Sequence, residues 1–387
     1  MPMPSLRLSM RRIAALVALA LIGGAAWLFL IRDNGDAPGI EEKEPGRAER
    51  KPVSEDPIVR RMSVADRVEQ VLMLGFEGTE PGAPGVGELT SRELGAIFVR
   101  AENWVGLKTG KRLVTALGQG DGVPPLIATS QEGGIYRSLE DLPPTERALD
   151  IGRDGSAEEA REWASETAEA LAGAGFQLNL FPVADVATLD SPLAGRAFSD
   201  DATEVATLTE AALAGCEESG LACAPLHFPG LGAASQDTAE GPATVALDLT
   251  TLSARDLTPF QAVSKSAPAL VLSLALYPDF DAVTPGALSP GVATGLLRDE
   301  VGFKGVAISD DLGAGAVTAT YSAPEAAVTA LGAGVDLIQI GSPEDAEGVA
   351  EALEKAVESG EIKPERLAEA AERVIDLKRE LGLVKEN

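Results

Sequence analysis

A closed (β/α)8 TIM-type barrel preceded by one transmembrane helix is the fold that the sequence predicts. Three observations carry that expectation. Short apolar, β-rich runs alternate with amphipathic helical stretches from about residue 57 onward. The alternation repeats eight times, which favours closure of the sheet on itself. No Gly-x-Gly-x-x-Gly turn follows any of the runs, so an open doubly wound sheet is the alternative rather than the first reading.

At the amino terminus Arg7, Arg11 and Arg12 precede an uninterrupted apolar run from Ile13 to Ile31, which Arg32, Asp33 and Asp36 end. At 1.5 Å per residue the run spans roughly 28 Å, close to the thickness of a bilayer's hydrocarbon core. Positive residues before the run predict residues 1–12 in the cytoplasm, 13–31 as an anchor, and the rest exported to the cell envelope. A cleaved signal peptide, with its peptidase site at Gly23 to Ala26, is the competing reading and would make the protein secreted. Residues 32–56 hold charged residues, Gly and Pro with almost no large apolar side chains, and read as a flexible linker.

Residues 57–387 are assigned to the barrel. Strands are expected at Val71–Phe76, Ala96–Val99, Leu126–Thr129, Gln177–Phe181, Leu221–Leu226, Ala269–Leu274, Val306–Ser309 and Asp336–Ile340. Ser156 with Glu159 predicts a capping box opening a helix to Ala172, closed by Gly173 and Gly175. Ser289 with Pro290 starts another helix, and Glu325–Leu331 runs into Gly332 and Gly334 before the last strand. Two charged amphipathic stretches, Pro343–Glu358 and Pro364–Leu381, should close the outside.

A formal net charge of −28 disfavours nucleic acid and anionic headgroups as partners of the folded part. With two cysteines and one histidine there is no structural zinc set, and neither a metal nor an organic cofactor is expected. Cys216 and Cys223 are read as two separately buried thiols, with a disulfide as the alternative.

In a barrel of this type chemistry sits at the carboxyl ends of the strands. Those ends read Ser130-Gln131-Glu132-Gly133-Gly134, Asn179-Leu180-Phe181-Pro182-Val183-Ala184-Asp185-Val186, Gly195-Arg196-Ala197-Phe198, His227-Phe228-Pro229-Gly230 and Ser309-Asp310-Asp311-Leu312. In this order the five motifs resemble family 3 glycoside hydrolases, nearest the single-barrel bacterial β-N-acetylhexosaminidases that recycle cell-wall fragments. The resemblance covers residues 60–380, strengthened by Gly302-Phe303-Lys304-Gly305-Val306 and by Ala330 to Asp336.

The resemblance implies a retaining mechanism in which Asp310 attacks the anomeric carbon. It implies that Arg196, His227 and Asp185 bind substrate. It also implies an acid/base histidine on a loop, held by an Asp two residues earlier. Asp237 fits that Asp, but Ala239 stands at the histidine position, a loss worth on the order of 10²–10⁴ in rate for poor leaving groups. Glu240 is the candidate substitute donor. Ser130 replaces a sugar-binding Asp, and Ile135 replaces an Arg, with Arg137 close by. Leu226, Leu231 and Leu274 stand where the family has Lys, His and His. Trp104, Trp163 and Tyr136 are the aromatic candidates for stacking on a sugar.

Three functions are therefore weighed: an envelope hydrolase of β-linked N-acetylhexosamines with a degraded acid/base loop, an inactive anchored pseudo-hydrolase that binds glycan or an envelope protein, and, ranked last, a phosphorolytic variant. Carbohydrate is the expected partner of the barrel, and the membrane that of the amino-terminal helix.

Overall fold

The computed structural model describes residues 54, 56–120 and 122–385. The expected anchor at 13–31 and most of the linker lie outside the described residues. Among the described residues no helix is long and apolar enough to cross a membrane. Ser54 donates to Glu372 at 2.7 Å, and Asp56 caps the helix Pro57–Arg61 while accepting from Arg379 at 2.6 Å.

The strands are β1 (Leu72–Leu74), β2 (Ala96–Phe98), β3 (Leu126–Thr129), β4 (Leu178–Asn179), β5 (Ala222–Cys223), β6 (Leu226–Phe228), β7 (Ala269–Leu272), β8 (Leu276–Tyr277), β9 (Asp281–Pro285), β10 (Val306–Ser309) and β11 (Ile338–Ile340). Parallel pairing runs β11-β1-β2-β3-β4-β5 and β10-β7-β6. Parallel bridges Val183↔Leu226 and Ile308↔Leu337 join the two arcs. Pairing of the last strand with the first, Leu72↔Ile338 through Leu74↔Ile340, closes the barrel and removes the open-sheet alternative.

All eight expected staves are present, most of them shorter than read from sequence. One is divided. The expected strand Leu221–Leu226 is β5, which pairs with β4, followed by β6, which pairs with β7. Pro225 lies between them without an N–H to donate, so the ladder cannot pass through it unbroken. The antiparallel hairpin β8–β9 was not expected.

The helix Ala157–Ala174 begins at Ser156, whose side chain accepts from the Glu159 N–H, and ends on Gly175 in the left-handed region. The expected return bond from Glu159 is not made. This helix packs on Ala202–Glu218 at close range, because a Cβ at Gly215 would lie 2.2 Å from the Arg161 carbonyl oxygen. The helix expected after Ser289-Pro290 spans Gly291–Glu300 with π-type turns, and the last two helices run Ala346–Ser359 and Pro364–Glu380. Buried Asp336 anchors this outer layer through Arg298, Arg366 and Arg373 at 2.5, 2.7 and 2.9 Å.

Cys216 and Cys223 form a disulfide, correcting the two-thiol reading. Sequence spacing could not reveal that Cys216, in the last turn of its helix, would face Cys223 on the adjoining strand. Loop-closure entropy for a bridge of this span predicts that a Cys216→Ala/Cys223→Ala pair loses about 2.5 kcal/mol. Urea unfolding should show this loss, and reductant should produce it in the native chain but not in the variant.

Candidate active site

The carboxyl ends of the strands surround a cavity of about 290 Å³. Its polar wall includes Ser130, Glu132, Arg196, His227, Asp310, Asp311 and Gln339, and its apolar wall Phe98, Leu180 and Leu226. The segment Asp237–Ala239 closes one side against Gly313 and Ala314. Larger hollows, of about 520, 740 and 310 Å³, lie elsewhere and contain none of these groups.

Asp310 follows directly on β10, so its backbone is still fixed by the sheet: its N–H donates to Leu272 O at 3.2 Å. Its Oδ1 accepts the Asp311 N–H at 2.8 Å, and Oδ2 faces His227 Nε2 at 3.9 Å. Asp311 in turn accepts from the N–H groups of Gly313 and Gly341, both at 2.9 Å, which pins the turn beneath Asp310. Burial raises the Asp310 pKa above the ordinary 3.8, although His227, the Asp311 N–H and Arg196 all favour its ionised form. A carboxylate so placed is held by the sheet and reachable from the cavity.

His227 is 3% exposed and is oriented from behind by Asp185. Oδ2 of Asp185 lies 2.7 Å from His227 Nδ1, and Oδ1 accepts the Leu231 N–H at 2.5 Å. This arrangement turns Nε2 toward Asp310. Burial disfavours the imidazolium, but the Asp185 carboxylate outweighs it, and the His227 pKa is raised. The turn after His227 is held by Tyr277, whose hydroxyl donates to Gly230 O at 2.9 Å. Gly230 has φ +129° and would place a Cβ 2.5 Å from Asp256, so only glycine fits this turn. Asp185 thus acts through His227 and not on the cavity directly.

Glu132 and Arg196 form a bidentate pair: Nε donates to Oε2 at 2.7 Å and Nη2 to Oε1 at 2.8 Å. Ser130 Oγ, in place of a carboxylate, donates to Glu132 at 3.0 Å. Burial alone would raise the Glu132 pKa, but Arg196 more than offsets it and holds the group below 4.5. With two nitrogens committed to Glu132, Arg196 has Nη1 left for a ligand. Glu132 lies within the motif Ser130 to Gly134, but sequence does not mark it as a site residue, because only the tertiary pair reveals its work. Gln339 was also missed, although it is the one polar residue in Leu337-Ile338-Gln339-Ile340.

The loop after β6 brings Asp237 to the cavity but not Glu240. Asp237 Oδ1 accepts the Ala239 N–H at 2.9 Å, and the carbonyls of Thr238 and Ala239 accept from Ala316 and Gly315 at 3.0 and 3.1 Å. These bonds fix the loop against the start of the helix Gly315–Thr318 with Ala239 on the cavity side and Glu240 exposed. Arg137 is likewise outside: it donates to Gly134 O at 2.8 Å and lines a separate surface hollow with exposed Ile135. None of the three stacking candidates lines the cavity. Trp104 is bonded to Asp141, Trp163 packs between Phe181 and Phe198, and the Tyr136 ring lies against Gly195. Leu274, at the expected histidine position, is buried and also does not line the cavity, whereas Leu226 does.

The profile of the glycosyl hydrolase family 3 N terminal domain matches residues 63–377. A beta-hexosaminidase of Stenotrophomonas maltophilia (strain K279a) is 31% identical over 284 residues, covering 71% of this chain and 84% of its own length. Among solved structures, a glycoside hydrolase family 3 beta-N-acetylglucosaminidase from Paenibacillus sp. str. FPU-7 superposes with a TM-score of 0.78 at 29% identity. That match takes in 84% of this chain, which spans only 64% of the Paenibacillus chain. A beta-N-acetylhexosaminidase from Beutenbergia cavernae DSM 12333 superposes at 0.73 and 28% identity, with 82% of this chain and 99% of that one covered.

Proposed function

Because the chain belongs to glycoside hydrolase family 3, we propose that it releases a terminal β-linked N-acetylhexosamine from cell-wall-type glycans by a retaining mechanism. The observation that carries this reading is the Asp310 carboxylate, rigid at the end of β10 and 3.9 Å from an imidazole that Asp185 orients. In this mechanism Asp310 attacks the anomeric carbon, forming the carboxylate–carbon bond as the bond to the leaving oxygen breaks, and water then releases the sugar. Arg196 and His227 hold the pyranose over it, and Arg196 is itself held by Glu132.

The leaving oxygen needs a proton, and the loop offers an alanine where the resemblance implies a histidine. Glu240 would have to swing inward from an exposed position to supply it. The fixed, outward arrangement of Glu240 favours a second reading, in which the barrel binds a glycan without turning over unactivated substrates.

A chromogenic aryl N-acetyl-β-glucosaminide separates the two, since its leaving group needs no protonation. Hydrolysis with an initial burst, and a fluorosugar adduct on Asp310, are the expected results; neither signal at any pH would remove the glycosidase reading. If such activity is seen, Glu240→Gln should slow only substrates with poor leaving groups.

The pH profile follows from the same groups. Asp310 must be ionised to attack, and burial raises its pKa, so kcat/KM for the aryl substrate should fall on the acid side with an apparent pKa above 3.8. An acid limb at or below 3.8 would contradict the assignment.

The envelope location is part of the same proposal. The apolar run Ile13–Ile31 behind three arginines suits an anchor, and the Cys216–Cys223 disulfide suits an oxidising compartment outside the cytoplasm.

A further inference from the structure

We propose that Gln339 is a sugar-binding residue that sets which pyranose the cavity accepts, its carboxamide oxygen taking a hydrogen bond from a ring hydroxyl or an acetamido N–H. The inference rests on the glycosidase reading above and deepens it, by adding a residue that the five motifs do not contain.

It begins in β11, where the run Leu337-Ile338-Gln339-Ile340 has a single polar member. The backbone of Gln339 is fully used: its N–H donates to Ser309 Oγ at 3.0 Å, and its carbonyl accepts from Leu312 at 3.1 Å. Alternation along the strand sends Ile338 and Ile340 to the opposite face, so Gln339 turns into the barrel mouth. There it lines the cavity that holds Asp310 and Asp311. Its side chain is nearly enclosed, at 5% exposure, yet among the described residues no donor reaches Oε1.

A buried amide oxygen without a partner carries a free-energy penalty that an apolar side chain would avoid. Met73, its register partner on β1, shows that an apolar residue suits this level of the barrel. Oε1 is shielded as the side chain stands, and rotation of the terminal amide presents it to a group that enters the cavity. Its character differs from its neighbours there. Glu132 is committed to Arg196 and His227 to Asp185, whereas Gln339 is neutral and uncommitted. A neutral acceptor selects a ligand by where its donors lie and not by its charge, which suits an uncharged sugar.

Calorimetric titration of the whole chain with N-acetylglucosamine, and separately with glucose, tests this without requiring turnover. Gln339→Leu should bind N-acetylglucosamine on the order of tenfold more weakly than wild type. The sugar-free variant should melt at the same or a higher temperature, since an unpaired amide has been replaced by an apolar group. An equal loss for both sugars identifies a hydroxyl as the donor, and a loss confined to N-acetylglucosamine identifies the acetamido N–H. An affinity unchanged to within about twofold overturns the assignment, whatever the melting temperature. Wild-type protein that binds neither sugar overturns the glycosidase reading as well, which separates the two failures.

Discussion

Asp310→Ala is expected to lower kcat/KM for an aryl N-acetyl-β-glucosaminide by at least about 10⁴-fold while leaving the barrel folded. In the proposed mechanism the carboxylate contributes the bond-forming electron pair, and among the described residues no other acid except Asp311 stands beside it at the end of β10. Asp311 is the nearest acid in sequence, but it is tied to the N–H groups of Gly313 and Gly341. The fold should not suffer, because the Asp310 side chain makes only a local bond to the Asp311 N–H and burial already disfavours its charge. Initial rates and a thermal melt on the same preparation check both halves. Activity within tenfold of wild type would mean that another residue is the nucleophile. Loss of activity together with a collapsed melting curve would leave the rate argument unsupported, and Asp310→Asn, which keeps shape and bonding, then provides the comparison.

Glu132→Ala should produce the largest loss of stability of any single substitution at the site. The pair with Arg196 is bidentate, with side chains 7% and 19% exposed, so removing the carboxylate leaves a guanidinium largely enclosed without its counter-ion. Breaking a buried pair from one side costs about 3–5 kcal/mol, roughly 4–7 °C in melting temperature for a domain of this size. Removing both partners is a different case: Glu132→Gln/Arg196→Met should recover most of that stability, because neither charge then remains buried. The double variant should still fail to bind N-acetylglucosamine, since Arg196 Nη1 is gone. A double variant no more stable than Glu132→Ala would show that the pair is not what the single substitution disrupts.

The sign of the pH effect follows. Arg196 holds the folded-state pKa of Glu132 below 4.5. The pair's contribution is therefore present above 4.5 and is lost as the pH falls through the folded value. His227 behaves oppositely: its pKa is raised above 6.5, so its contribution is complete below 6.5 and declines as the pH rises through the folded value.

Much of the site was legible because the barrel converts linear order into a ring. Motifs that end strands must meet at one mouth, and the resemblance singles out Asp310, His227 and Arg196 among the residues gathered there. The residues that failed to arrive show where that logic stops. Arg137 sits only a few residues beyond Glu132, but the turn Gly134–Tyr136 carries it to a surface hollow. Glu240 is next to Ala239, yet the bonds from Gly315 and Ala316 set which of the two faces the cavity. The aromatic candidates were picked for their chemistry, and packing against Phe176, Phe181 and Phe198 claims two of them for the core.

The sequence by itself determined the eightfold alternation, the strand ends at which chemistry gathers and the alanine at 239, and its resemblance to family 3 singled out Asp310 as the nucleophile candidate. The first three are properties of spacing and residue type, which no later folding event can alter. The tertiary structure decided the rest: that Cys216 meets Cys223, that Glu132 is spent on Arg196, that Asp185 works through His227, and that Gln339 Oε1 is enclosed without a partner among the described residues. Each of these is a distance between residues far apart in the chain or on separate elements, and such distances exist only once the barrel has closed.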